Sequence, residues 1–281
     1  MMNRIYRTLL LCTLVGCSSC GRDGVYVPLP LDVSAEVGSV RTRADDIHAS
    51  DYDKREFVAG DIIRIAKTGA SSGVNYKRTA TGAWTPVDEA TPMTTTGGEK
   101  FTATFPSDFS GILSDQRTAT NFWKSNQLSA AATAQGNRAS FTFVPAACKI
   151  TVIIIYEANN DAQGTTLTGK GLCSGNQSQD ESILLLQTNG SDNKLRHTYA
   201  GIFSPGAALP YTITVKASTF DATGKSYVEN DTGLTLKAGT EYQYTFTATS
   251  ELILNSVVVK DFAKDPDWNG TDNEENAGNA T

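Results

Sequence analysis

The sequence predicts an all-β protein built as two antiparallel β-sandwich domains in tandem. Three observations carry this prediction. Apolar and polar residues alternate over many short segments, turn-forming residues separate those segments, and residues that favour long helices are sparse. The length of 281 residues suits two domains of ordinary size.

Composition limits the partners that the protein can have. Hydrophobic residues make up 40% of the chain and charged residues 19%, which is typical of a globular protein. The formal net charge is −6, and no basic stripe is present to neutralise phosphates. We therefore predict that nucleic acid is not a partner.

The stretch from Phe141 to Tyr156 contains two predicted strands separated by a proline. Phe141 and Phe143 alternate with polar residues before Pro145, and an apolar run of β-branched residues follows it. Proline cannot donate to a β-ladder, so Pro145 should separate two strands. We place a domain boundary there, with one domain over 44–144, a second over 145–264 and an acidic polar tail over 265–281. The run after Pro145 is apolar on both faces, which indicates a central strand.

Alternating segments supply the remaining elements. Strands are predicted within 57–65, 74–79, 82–86, 100–105, 183–187, 199–203, 211–217, 242–249 and 252–260, and a short helix within 125–135. Short strands at this spacing are typical of sandwiches of the transthyretin or immunoglobulin type.

The N-terminus has the pattern of a lipoprotein signal peptide over residues 1–16. Two arginines precede an apolar core that is too short to span a bilayer. The core ends Leu-Val-Gly before Cys17, which predicts cleavage before Cys17 and a lipid anchor on it. The alternatives are an ordinary secreted protein and lipidation at Cys20.

Residues 17–43 form a leader with an unusual alternating segment. One parity of this segment carries apolar side chains, and the other carries two prolines, which remove hydrogen-bond donors from one edge only. This pattern predicts an edge strand whose side chains enter a groove. The apolar residues of this strand are Val25, Val27, Leu29, Leu31 and Val33. The alternative is a proline-stiffened spacer that holds the body off the membrane.

A polar segment with two arginines follows that strand. Arg41 and Arg43 lie among small and charged residues, where an exposed linker is open to a trypsin-like protease. A plain solvated linker explains the same composition.

The serial order of motifs resembles the fimbrillin family, the lipoprotein-derived (type V) pilins and their accessory subunits of diderm gut and oral bacteria. The resemblance extends from residue 17 to about residue 268. It rests on the lipobox, Thr42-Arg43-Ala44, Phe57-x-x-Gly60-Asp61-x-Ile63, Tyr76, Gly82-x-Trp84, Phe101-x-Ala103-x-Phe105-Pro106, Phe141-x-Phe143, Ala147-x-Lys149-Ile150 and Leu236-x-Ala238-Gly239-x-x-Tyr242-x-Tyr244-x-Phe246.

The resemblance implies a cell-surface subunit of a fimbrium. An arginine-specific protease would cut after Arg41 or Arg43, and the strand over 25–33 would be displaced. A strand from another fimbrial subunit would then fill the groove by β-strand addition. The donated strand is expected within 252–260 or beyond, and the acidic tail leaves a shaft, tip or accessory role open. A host protein or glycan would be the adhesion ligand.

The alternative function is a glycan-binding outer-membrane lipoprotein. Its stacking platforms would come from the tryptophans, Trp84, Trp123 and Trp268. Three tryptophans without a repeated pattern are more often core residues.

No constellation of residues indicates an enzyme, a metal or a cofactor. The chain has two histidines, His48 and His197, and His197 is expected at the surface. Residues 164–171 approach a phosphate-binding loop but lack its Ser or Thr, so a flexible hairpin is expected there. Cys148 and Cys173 are either a disulfide or free thiols.

Overall fold

A computed structural model of the chain describes residues 27–38, 56–189 and 194–261. Up to residue 145 the strands are β1 (Leu29–Pro30), β2 (Asp32–Val37), β3 (Ile62–Lys67), β4 (Gly73–Arg78), β5 (Trp84–Pro86), β6 (Thr94–Thr95), β7 (Lys100–Phe105), β8 (Leu128–Thr133) and β9 (Arg138–Pro145), with helix α1 (Ala119–Ser125) between β7 and β8. After it come β10 (Cys148–Tyr156), β11 (Ala162–Lys170), β12 (Asp180–Leu184), β13 (Leu186–Gln187), β14 (Arg196–Phe203), β15 (Ala208–Ala217), β16 (Lys225–Glu229), β17 (Thr240–Ala248) and β18 (Leu252–Asp261). The predicted all-β class is confirmed.

A seven-stranded sheet encloses the first core. Its strand order is β2-β9-β8-β7-β3-β4-β5, and the sheet curls so that β2 and β5, at its two edges, approach each other. Alternating residues point into the curl and form one cluster, in which Ile63, Ile65, Phe101 and Phe143 are fully buried. Burial of one face explains the alternation seen in the sequence.

Two facing sheets enclose the second core. One has the order β13-β14-β10-β17-β18 and the other β12-β11-β15-β16. Buried residues of both sheets pack into a single cluster that includes Val152 and Tyr244 from the first and Leu167 and Ile213 from the second. This arrangement is a β-sandwich.

Two strand pairs depart from the antiparallel expectation. β2 runs parallel to β9, and β10 runs parallel to β17. Parallel neighbours need a long crossover connection, and in both pairs the strands are far apart in sequence. Alternation within a strand carries no information about the direction of its partner, so this feature was not predictable from the pattern.

The predicted break at Pro145 is confirmed as the end of a strand. β9 ends at Pro145, and β10 begins at Cys148 as the central strand of its sheet. The assignment of 44–144 and 145–264 to separate domains remains a prediction.

The predicted helix within 125–135 is wrong. The helix is Ala119–Ser125, and the Thr118 hydroxyl caps it by accepting a hydrogen bond from the Asn121 backbone N–H. The alanine-rich segment after it forms β8 instead, which pairs along its whole length with β7. Backbone pairing with β7 outweighs the modest intrinsic helix preference of alanine.

Helix α1 covers the outer face of the five-stranded sheet. Phe122 packs there against Ala200 and Ile202 of β14. The buried Gln116 side chain adds a polar bridge: its Nε2 donates to the Ile202 carbonyl at 2.7 Å, and its Oε1 accepts from the Ile202 N–H at 2.7 Å. The segment that follows β7 is thereby fixed to the sandwich of the second half.

Candidate functional site: the N-terminal strand and its groove

Strand β2 forms one edge of the seven-stranded sheet. It pairs with β9 alone, in parallel, with Asp32 opposite Arg138 and Val37 opposite Phe143. Backbone hydrogen bonds extend the pairing at both ends, from Asp32 N–H to the Asn137 carbonyl and from Gly38 N–H to the Phe143 carbonyl, each at 2.7 Å. The strand is therefore attached along one side only.

The inward side chains of this segment belong to the first core. Leu31, Val33 and Val37 are each at most 7% exposed, and Ala35 is half-buried beside them. Three buried aliphatic side chains contribute about 5 to 9 kcal/mol gross, before the cost of ordering the chain. Without this segment, the core of the sheet would have an apolar slot.

The outward side chains match polar groups on β9. Arg138 Nε donates to Asp32 Oδ2 at 3.1 Å, the Ser34 and Ser140 hydroxyls are 2.8 Å apart, and the Thr142 hydroxyl donates to Glu36 at 3.2 Å. All three contacts are solvent-exposed, so they add little stability. These contacts determine which residues of β2 and β9 lie opposite each other, whereas the buried apolar side chains supply the stability.

The buried segment lies further along the chain than the sequence predicted. Val27 and Leu29 are 69% and 52% exposed, so the expectation that they enter the groove is wrong, whereas Leu31 and Val33 do enter it. The reason is a change of partner, because Leu29–Pro30 pairs with Thr94–Thr95 in a separate two-stranded ribbon.

Several predicted site residues lie outside the described residues. They are the lipidation site Cys17, the first strand residue Val25 and the processing sites Arg41 and Arg43. Their roles remain predictions. The tail over 265–281 and Trp268 fall outside as well.

Strand β18 occupies an edge of the five-stranded sheet. It pairs antiparallel with β17 from Leu252 to Asp261. Leu252 is buried, whereas Ile253 and Val259 are 50% and 53% exposed. The segment predicted as a donor is thus already a member of the chain's own sheet.

Two expectations about polar residues are wrong. His197 is buried, 1% exposed, because its register opposite Ile154 turns it toward the second core, and its Nδ1 lies 3.1 Å from the Tyr156 hydroxyl. Burial lowers the pKa of His197. The phosphate-loop-like segment is strand β11, paired on both sides with β12 and β15, and is neither a loop nor a hairpin.

The second half also buries a charged pair. Lys149 Nζ lies 3.6 Å from Glu241 Oε2, and the Thr151 hydroxyl donates to Glu241 Oε1 at 2.6 Å. All three residues are less than 9% exposed. Mutual pairing and hydrogen bonding stabilise these buried charges.

Cys148 and Cys173, the two cysteines among the described residues, are free thiols. Cys148 is buried, donates to the Lys237 carbonyl at 3.0 Å, and has a pKa raised to about 12 by burial. Cys173 is half-buried, with a pKa raised by burial to about 11. Both thiols are therefore protonated at neutral pH and weakly reactive.

The described residues lack two other kinds of site. Among them, no three His, Cys, Asp or Glu side chains cluster closely enough to hold a metal ion. No helix within the same ranges combines the length and apolar character needed to cross a membrane.

The predicted stacking tryptophans Trp84 and Trp123 are not both at the surface. Trp84 is buried in the first core. Trp123 of α1 is half-buried and packs against the apolar cluster that contains Phe122 and Ile202.

Comparison with solved structures shows that other proteins share the fold of this chain. A candidate cell adhesion protein from Bacteroides ovatus matches with a TM-score of 0.60 and 14% identity, over 85% of this chain and 99% of that one. Another from Bacteroides uniformis matches with a TM-score of 0.53 and 17% identity, over 84% and 99%. A weaker likeness, with a TM-score of 0.44 and 9% identity over 84% and 98%, is to the fimbrial anchor protein Mfa2 from Porphyromonas gingivalis.

No family model matches this sequence. No curated protein matches it either. The first two structural likenesses show that the chain shares its all-β fold with these two candidate cell adhesion proteins.

Proposed function

We propose that this chain is a cell-surface fimbrial subunit, in a shaft, tip or accessory position, that supports adhesion. In this proposal the subunit assembles by donor-strand exchange after proteolysis removes its N-terminal strand. The observation that carries the proposal is the arrangement of β2, which pairs along one side only and fills an apolar slot.

Removal of this strand would create a receptor for another strand. The edge of β9 from Arg138 to Phe143 would lose its backbone partner, and the slot left by Leu31, Val33 and Val37 would open to water. An unpaired edge beside an apolar groove is a strong site for strand addition and a hazard if left empty. Occupation by β2 until assembly avoids that hazard.

Processing and anchoring complete the proposed pathway. Arg41 follows Gly38, whose N–H makes the last hydrogen bond of the strand, by three positions. A cut by an arginine-specific protease after Arg41 or Arg43 would separate the strand from the body of the chain. Lipid on Cys17 would hold the uncut precursor at the outer membrane.

The donor strand has two sources in this proposal. β18 lies at an edge, so it is removable without breaking a central pair, but its release would expose Leu252 and the side chains packed beside it. The segment 262–281 is the other source. Exchange with further copies or with other fimbrial subunits would give a homopolymer or a heteropolymer, and the ligand would be a host protein or glycan.

The test is controlled proteolysis of the purified full-length precursor. A trypsin-like protease should cut at Arg41 or Arg43, and polymers should then appear as ladders on a gel run without boiling. N-terminal sequencing of the products identifies the cut, and mass spectrometry of the intact precursor tests for lipid on Cys17.

A strand-locked variant supplies the matched control. Because Ser34 and Ser140 are register partners with hydroxyls 2.8 Å apart, Ser34→Cys with Ser140→Cys should form a disulfide that ties β2 to β9. The oxidised variant should be cut normally yet stay monomeric, and reduction should restore assembly. Polymers from the oxidised, cut variant would refute strand exchange in this groove.

A further inference from the structure

The N-terminal strand has two different partners along its length. β2 pairs with β9, whereas the residues before it, Leu29–Pro30, pair antiparallel with Thr94–Thr95. The Leu31 N–H extends this second pairing by donating to the Met93 carbonyl at 2.7 Å. The strand is therefore bonded on its other edge at the point where Leu31 enters the first core. We call Met93–Thr95 the second wall of the groove, with β9 as the first.

The first wall holds the same point from the opposite side. The Asp32 N–H donates to the carbonyl of Asn137, directly before β9, at 2.7 Å. Asn137 Nδ2 donates to the Pro30 carbonyl at 3.3 Å. Because successive residues of a strand direct their backbone groups to opposite edges, residues 30–32 bond to both walls. A strand that replaced this segment would meet the same groups.

The second wall is held in place by the body of the chain. The Met93 N–H donates to the Tyr76 hydroxyl at 2.9 Å, and Tyr76, on β4, is 1% exposed. The Met93 side chain packs against the first core. The Met93 N–H is thus already bonded, which leaves its carbonyl as the group that bonds to the strand.

A turn after the second wall fixes its other end. Thr95 is 1% exposed, and its hydroxyl donates to the Glu99 carboxylate and accepts from the Gly97 N–H at 3.0 Å. The same carboxylate accepts from the N–H and the hydroxyl of Thr96, each at 3.1 Å. These bonds, first the one from Thr95, lower the pKa of Glu99 to about 2, so the carboxylate is charged at neutral pH. None of these bonds comes from the N-terminal strand, so the wall should keep its shape when the strand leaves.

We propose that Met93–Thr95 is part of the acceptor site and binds the backbone of the strand that another fimbrial subunit supplies. This inference rests on the proposed function and identifies a second surface that contacts its partner strand. Release of the chain's own strand would leave the Met93 carbonyl without its present donor, beside the apolar slot left by Leu31. A strand that restores this bond is favoured over one that does not. Because the wall is already ordered, binding avoids part of the ordering cost.

The two walls set requirements on the partner strand. The residue that takes the place of Leu31 has to be apolar to fill the slot. It cannot be proline, because its N–H bonds to the Met93 carbonyl. The residue before it can be proline, as Pro30 is in this chain, because that position contributes its carbonyl to the first wall.

Exchange of synthetic strands into the cut full-length chain tests the second wall. A specific protease site inserted between Arg41 and Arg43 supplies the cut, so the test does not depend on native processing. The probe is a fluorescent peptide with the sequence of residues 27–38, and polarisation measures its binding in place of the native segment. In the test peptide an ester replaces the amide at the Leu31 nitrogen, so an oxygen stands where the N–H was. The protein itself is the same in every measurement.

The Leu31 ester should bind about fivefold more weakly than the all-amide peptide, because it lacks one backbone hydrogen bond. The matched control is an ester at Val33, whose N–H lies on the edge away from β9 and makes no backbone hydrogen bond to the second wall. It should bind like the all-amide peptide. Both esters weaken the preceding carbonyl as an acceptor, so the comparison isolates the N–H at Leu31.

Peptide binding and polymer formation are read separately. Equal binding of the all-amide peptide and the Leu31 ester would overturn the second wall, as would equal weakening by both esters or no binding of the all-amide peptide. Polymers from the cut chain would still support strand exchange in those cases. Selective weakening by the Leu31 ester supports the second wall, and an absence of polymers beside it would count against assembly alone.

Discussion

Replacement of Leu31 by alanine is expected to weaken the attachment of the N-terminal strand to its sheet. Leu31 is 5% exposed in the first core, and its backbone N–H donates to the Met93 carbonyl at 2.7 Å, a bond that the substitution leaves intact. The change therefore removes side-chain packing alone. Buried Leu→Ala substitutions cost about 2 to 5 kcal/mol, and this site at the sheet edge should fall near the lower end, about 2 to 3 kcal/mol.

The same substitution two residues earlier is the control. Leu29 is 52% exposed, so Leu29→Ala should change the free energy of unfolding by no more than about 0.5 kcal/mol. Urea unfolding of the full chain, followed by tryptophan fluorescence, measures both values, and Trp84 reports on the affected core. Equal costs for the two variants would show that Leu31 does not anchor the strand. The proposed groove would then lack its apolar anchor.

Three further predictions concern buried polar groups. Gln116→Ala should cost at least about 2 kcal/mol, because it leaves both the N–H and the carbonyl of Ile202 buried without their present partner. Lys149→Met should cost about 3 to 5 kcal/mol by removing the charge that faces the buried carboxylate of Glu241. The pKa of His197 is lowered in the folded state, so unfolding is accompanied by proton uptake. The free energy of unfolding should therefore fall as pH drops below about 6.5. His197→Asn should weaken this pH dependence.

Each of these predictions has a control or a contradicting result. Gln163→Ala changes an exposed glutamine and should leave urea stability nearly unchanged. Lys225→Met breaks the Lys225–Asp221 contact of 4.0 Å, in which Asp221 is largely exposed, and should cost less than about 1 kcal/mol. A cost for Gln116→Ala or Lys149→Met no larger than that of its control would contradict the assigned role. For His197, identical pH profiles of the wild type and the variant between pH 7.5 and 5.5 would do so.

The sequence predicted strands best where local pattern and tertiary packing agree. The predicted strand at 100–105 is observed as Lys100–Phe105, with Phe101 and Ala103 buried. The sequence does not predict β11, because its Gly and Thr residues show no clear alternation of apolar and polar types, although Leu167 is fully buried. The sequence predicts a helix in place of β8, because alanine favours helices wherever no neighbouring strand competes.

At the candidate site, the local pattern likewise predicts a strand but not which of its side chains are buried. Alternation predicted an edge strand, but Val27 and Leu29 have the same parity and residue class as Leu31 and Val33, so the sequence could not show which pair is buried. Pairing of Leu29–Pro30 with Thr94–Thr95, and of Asp32–Val37 with β9, decided it.

What the sequence alone determined is the class of fold, the strand break at Pro145 and the presence of an apolar strand ahead of two arginines. These features depend on local periodicity and on the missing N–H of proline, which act over a few residues. The direction of strand pairing and the burial of His197 were decided by tertiary structure alone. They depend on contacts between segments far apart in sequence. The pattern of residues along the chain contains no signal for such contacts.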